Sequence, residues 1–175
     1  TKGFVANYVE DPVGKLERAL KEGFAYQGEY QPWDKIHRGE PSGHLPPSAF
    51  VNFAQNHDQI GNRPRSDRMA AYLPDERLEF TRAMTMLSPQ TPLFFMGEEA
   101  HDDTPFHFFS DAPEHLHEAL REGRSEQVMD GYSMTERPDL PDAWNAAPLE
   151  RSRIGRGRWD EGAIERFRGL SERRR

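Results

Sequence analysis

Phe50-Val51-Asn52-Phe53-Ala54-Gln55-Asn56-His57-Asp58-Gln59 begins as an apolar run and closes on polar side chains. Further along, Pro92-Leu93-Phe94-Phe95-Met96-Gly97-Glu98-Glu99 does the same. Short apolar runs bounded by turn residues read as strands, here over 50–55 and 92–96, buried on both faces. Between them Asp75 caps a helix carrying Leu78, Phe80, Ala83, Met84 and Leu87, which stops before Pro89. Strand–helix–strand with doubly apolar strands is the pattern of a parallel sheet covered by helices and joined by a right-handed crossover. The predicted class is therefore α/β. In such folds ligand sites lie at the carboxyl ends of the strands. Both polar clusters would then face the same side.

Outward from this centre the chain is more polar. Asp11-Pro12 opens a helix with Val13, Leu16 and Leu20 on one face, and Gly23 closes it. Residues 24–47 hold several Gly and Pro and read as a long loop carrying Tyr26, Tyr30 and Trp33, which could stack on sugar rings or pack the loop. Asp111 and Pro113 start a third helix through Leu116 and Leu120 to Gly123, and a last weak helix surrounds Ile164, Phe167 and Leu170. Residues 1–132 form one expected unit, and 133–175 a polar linker with a terminal helix.

Composition narrows the function classes. Leu, Ile, Val and Phe supply only 32 of the 175 residues, and they gather between Phe50 and Phe109, which points to a portion of a larger domain. The net charge of −7 argues against binding a phosphate backbone, so nucleic acid is not an expected partner. No run approaches a membrane span, so a membrane partner is not expected either. The Thr1-Lys2-Gly3-Phe4 start has no apolar leader core, and a cytoplasmic location is expected. With no cysteine, disulfides, thiolate zinc sites and cysteine nucleophiles drop out.

Asp58 is the sharpest chemical candidate: a carboxylate on a rigid strand end stabilises developing positive charge or binds sugar hydroxyls bidentately, with His57 beside it as donor. Asn56 and Asp58 equally read as Asx residues satisfying turn groups. Arg63 would clamp a substrate or pair with Asp58 or Asp67. Glu98 and Glu99 would line the cleft as acid/base carboxylates, or complement a helix start. His101-Asp102-Asp103 and the His115/His117 pair invite a metal, but an i, i+2 pair on a helix points two ways. No metal or other cofactor is expected.

Phe53-Ala54-Gln55-Asn56-His57-Asp58-Gln59-Ile60-Gly61-Asn62-Arg63 closely resembles the fourth signature region of the α-amylase family of glycoside hydrolases. The likeness continues through 87–99 and 104–111, and upstream through 19–28. It is closest to the subfamily that releases trehalose. The resemblance implies a partial (β/α)8 TIM barrel holding only the last strands and helices, with 50–55 as the seventh strand and 92–96 as the eighth. A further domain would follow residue 175.

The resemblance also implies the chemistry. The family hydrolyses glycosidic bonds with retention, using one carboxylate nucleophile and one carboxylic acid around an oxocarbenium-like transition state. Those two residues would lie upstream of Thr1. Asp58 would be the third carboxylate, the transition-state stabiliser holding the 2- and 3-hydroxyls of the sugar being cleaved. Asn56, His57, Gln59, Ile60, Gly61, Asn62 and Arg63 would bind substrate, which is expected to be maltooligosyl trehalose or a related α-glucan oligosaccharide. Another α-amylase-family enzyme, branching or debranching, and a catalytically incomplete carbohydrate-binding fragment are the alternatives. Pro64-Arg65-Ser66 and Ala100 depart from the subfamily's pattern near the cleft.

Overall fold

The computed structural model describes residues 7–32, 35–132, 134–136 and 139–175. By contacts the chain groups into two units: 1–52 with 88–93, and 53–87 with 94–175.

The first unit begins with α1 (Pro12–Glu22). Asp11 caps it by accepting a hydrogen bond from the Gly14 N–H at 3.1 Å, and Pro12 fills the first turn, where its missing N–H costs nothing. Gly23 ends the helix at φ 93°, and a Cβ there would meet the Phe50 ring at 2.2 Å, so conformation and space both require glycine. Val13, on the predicted apolar face, is 75% exposed. The loop that follows contains a small antiparallel pair, β1 (Tyr30–Gln31) with β2 (Ile36–His37). Tyr26 packs edge-on against Tyr8 and donates its hydroxyl to the Asn7 carbonyl at 2.7 Å. Trp33 lies outside the described residues.

Two residues form each central strand: of the expected 50–55 only Val51 and Asn52, and of the expected 92–96 only Pro92, lie in one. β3 (Val51–Asn52) pairs in parallel with β4 (Thr91–Pro92), in the register Val51–Thr91 and Asn52–Pro92. Thr91 N–H donates to Phe50 O and Leu93 N–H to Asn52 O. Pro92 stands between these two donors, where its missing N–H would face away from β3 and costs the pair no bond. Burial on both faces is corrected by the structure: Val51 is 56% exposed, and Phe53, Leu93 and Met96 are exposed too. Parallel strands are buried by neighbouring strands and covering helices, and among the described residues β3 and β4 form a sheet of two strands only.

The second unit is helical. After β3 the chain forms α2 (His57–Gly61), then α3 (Asp75–Leu87). Asp75 lies inside the first turn of α3 rather than capping it, and its carboxylate binds Arg158. The buried stripe of α3 is Leu78, Arg82, Thr85 and Met86, whereas Phe80 and Leu87 face outward. Spacings of four, three and one keep that stripe on one face. Against it packs α6 (Glu161–Arg174), with Arg82 donating to the Ala163 carbonyl at 2.7 Å. Phe94 meets Phe167 edge to face at 4.8 Å.

α4 (His117–Tyr132) runs on past Gly123, which was expected to end it. A Cβ at Gly123 would touch nothing, so this glycine answers to no crowding. A glycine inside a helix costs ~1 kcal/mol relative to Ala, and further along α4 Val128 is buried. α5 (Ala146–Arg151), capped by Asn145, is an element the sequence reading did not anticipate. Among the described residues no helix is long and apolar enough to cross a membrane.

Candidate active site

Asn56 opens α2 through a reciprocal cap. Its side chain accepts from the Asp58 N–H at 2.8 Å, while its own N–H donates to Gln59 Oε1 at 2.9 Å. The turn-forming role considered for Asn56 is thus seen, and Gln59 shares it. Asp58 stands in the first turn of this helix and not on a strand end. Its backbone is pinned, yet its side chain is 62% exposed, with His57 Nε2 as neighbour at 3.6 Å. A fixed main chain carrying an uncommitted carboxylate is what a ligand-binding group requires.

An open cleft of about 350 Å³ receives that carboxylate. Asp58 and Asn62 form one wall, Phe108 another, and Leu120, Arg124 and Gln127 of α4 the third. Phe108 lies directly over Gly61, where a Cβ would come within 2.6 Å of the ring, and meets His57 edge-on at 6.1 Å. Ile60 and Gly61 are buried beneath. Arg63 does not reach Asp58. It binds Asp67 in fork geometry at 2.7 and 3.3 Å and covers the Tyr72 ring at 4.2 Å.

Glu98 and Glu99 do not line this cleft. Glu98 starts a short 3₁₀ turn, Glu98–Ala100, and is 7% exposed, accepting from the Phe95 N–H at 2.8 Å. It lines a separate small hollow with Gln55, Leu78, Arg82 and His101. Burial pushes its carboxyl up to about 7, against the pull of the Phe95 N–H and of the Arg82 and Arg68 guanidiniums. The Glu99 backbone carbonyl accepts from Arg82.

The raised value fixes a sign. A carboxyl at about 7 folded and near 4.5 unfolded binds more protons in the native state between those values, so native stability falls as pH rises through that window. Glu98→Gln removes this dependence. Within the full-length protein, the variant's melting temperature is expected to gain on that of the unmodified protein from about pH 4.5 to pH 7, and its activity to fall less than that of any Asp58 substitution. Melting curves and turnover measured across that range check both.

Asp75, His101 and Asp160 bring ligand-type atoms within 4.8 Å of one another. Arg158 already bridges the two carboxylates, at 2.6 and 3.1 Å. Arg82 Nη1 donates to His101 Nε2 at 2.7 Å, and a guanidinium can only donate, so the neutral ring carries its proton on Nδ1, facing Asp75. A donor nitrogen cannot ligate. The group is an ion-pair network tying α3 to α6.

Phe108, Arg124 and Gln127 are the cleft residues that sequence reasoning missed as site residues. Leu120, Gly123, Arg124 and Gln127 fall at i, i+3, i+4 and i+7, one helix face, a signal hidden when the helix is ended at Gly123.

A comparison with protein-family profiles finds no match. The malto-oligosyltrehalose trehalohydrolase of Brevibacterium helvolum is 35% identical over 163 residues, 90% of this chain and 27% of that protein. That of Rhizobium sp. strain M-11 is 39% identical over 127 residues, 71% of this chain and 21% of that protein. That of Arthrobacter ramosus is 35% identical over 173 residues, 97% of this chain and 29% of that protein. The chain thus spans about a quarter of the length of the curated relatives it matches. The crystal structure of a Salmonella typhimurium protein described as an alpha amylase superposes with a TM-score of 0.87 at 37% identity, covering 98% of this chain and 30% of that one. In sequence the chain is therefore similar to part of the malto-oligosyltrehalose trehalohydrolases, and in fold to the corresponding part of an alpha amylase.

Proposed function

We propose that this chain is part of the (β/α)8 catalytic barrel of a retaining glycoside hydrolase, which cleaves the α-1,4 bond next to a terminal trehalose and releases trehalose from maltooligosyl trehalose. The observation that carries this reading is Asp58: a carboxylate on a capped backbone, without an arginine or lysine partner among the described residues, open to a 350 Å³ cleft. A sugar at the cleavage point flattens and gains positive charge at its anomeric carbon. A carboxylate accepting its 2- and 3-hydroxyls binds that distorted ring better than the ground state, which lowers the barrier rather than only tightening binding. Asp58 is the transition-state stabiliser, with His57 and Asn62 supplying further contacts to the same sugar. Asn56 and Gln59 act on substrate indirectly, by holding α2. Ile60, Gly61 and Arg63 support the cleft from beneath and beside it.

The nucleophile and the general acid come from the rest of the enzyme, and a two-step displacement proceeds between them. Residues 1–132 belong to the barrel, and 133–175 lead towards the next domain. No metal enters the scheme, and the enzyme works in the cytoplasm. Parallel assays of the full-length enzyme on maltooligosyl trehalose and on a plain maltooligosaccharide of equal length test the reading. Trehalose release with a clear preference for the first substrate is the expected result; new branches on the second would assign the chain to another α-amylase-family activity.

A further inference from the structure

We propose that Arg124, with Gln127 one turn further along α4, binds hydroxyls of the glucose unit adjoining the one held by Asp58, and so positions the α-glucan in the cleft. The proposal rests on Asp58 marking the reaction centre.

The Arg124 side chain is half-buried. Its Nη2 donates to the Gly61 carbonyl at 2.6 Å, and its guanidinium carbon sits 4.5 Å from the Phe108 ring centroid. The hydrogen bond it makes goes to a carbonyl and not to a carboxylate, and burial lowers its pKa. Several arginines of this unit have carboxylate partners that Arg124 lacks among the described residues: Arg63 has Asp67, Arg82 has Glu79, Arg121 has Asp142, and Arg158 has Asp75 and Asp160. A half-buried guanidinium with one Nη engaged by a carbonyl has further N–H donors to offer a ligand.

The geometry says where that ligand sits. Arg124 and Asp58 line the same cleft from opposite elements without forming an ion pair. Gln127 adds an amide donor and acceptor on the same wall. Arg124 also borders a second hollow of about 150 Å³, walled by Phe108, Phe109, Leu120 and Trp144. Carbon-rich walls with a few fixed donors and acceptors match a sugar, whose ring faces are apolar and whose rim is hydroxyl. A neutral oligosaccharide bridging Asp58 and Arg124 satisfies both groups and cancels neither charge.

The test uses the full-length enzyme, with kcat and KM on maltooligosyl trehalose and a melting curve for each variant. Arg124→Gln is expected to raise KM about tenfold or more while kcat stays within about threefold, since contacts away from the reacting bond act mainly through binding. A merely structural role would lower the melting temperature and the active fraction and leave KM unmoved. Gln127→Ala, at an exposed position, is expected to raise KM about threefold without changing the melt. If Arg124→Gln fails to fold, Gln127→Ala decides. Unchanged KM in the folded variants overturns the proposal. Asp58→Asn run alongside keeps the two ideas apart: its inactivity with normal KM at Arg124 and Gln127 variants sinks only the subsite, whereas its retained activity sinks the reading on which the subsite rests.

Discussion

Asp58→Asn in the full-length enzyme lowers kcat by about 10³-fold or more, with substrate binding far less affected. The substitution keeps the shape of the side chain and removes its charge. That charge matters most when the anomeric carbon becomes cationic, so the loss falls on the transition state. Folding is spared for a local reason. The cap of α2 uses the Asp58 backbone N–H and the Asn56 and Gln59 side chains, not the Asp58 carboxylate. A 62% exposed group whose near neighbour is a histidine at 3.6 Å is expected to change stability by no more than ~0.5 kcal/mol. Steady-state kinetics with a melting curve check the pair of effects. A variant keeping more than about a tenth of the activity would show that the role assigned to Asp58 is wrong.

The 175 residues produced alone release no trehalose and give no cooperative melt. Double displacement needs a nucleophile and an acid, and a single stabilising carboxylate supplies neither. The physical argument is independent of the chemical one. Two sheets of two two-residue strands each leave ladder edges open, and Val13, Val51, Phe53, Phe80, Leu93 and Met96 stand exposed. Against a backbone ordering cost of roughly 1–2 kcal/mol per residue, a chain with 32 large aliphatic and phenyl side chains in 175, many of them uncovered, has little to set. Calorimetry and a trehalose assay on the purified chain check this. A sharp transition accompanied by trehalose release would overturn both arguments.

Local rules made part of the fold legible. Asp11-Pro12 and Gly23 bound α1 as capping chemistry requires, and the apolar runs at 50–55 and 92–96 marked the parallel pair. Burial was harder to read. The stripe on α3 was taken from its apolar residues, yet Arg82 is buried there and Phe80 is not, because Arg82 finds carbonyl partners at Glu99 and Ala163. Arg68 is fully buried in the same way, donating to the Thr104 and Met96 carbonyls. Periodicity cannot reveal such residues, since what admits them is a distant backbone acceptor.

The site divides along the same line. The placement of Asp58 beside His57 and Asn62 followed from a contiguous motif. Gln59, Ile60 and Arg63 share that motif, but capping, packing and the Asp67 ion pair engage their side chains. The opposite wall, Phe108 with Arg124 and Gln127, comes from separate stretches that only the fold brings together. Glu98 looked like a second site carboxylate because it follows an apolar run; a tight turn beginning at Gly97, φ 84°, directs it inward instead.

A proton NMR time course of the full-length enzyme acting on maltotriosyl trehalose tests the central claim most directly. Free trehalose should appear together with maltotriose whose new reducing end is first seen as the α anomer, the stereochemical outcome of double displacement. The β anomer appearing first, or glucan products without free trehalose, would contradict the account.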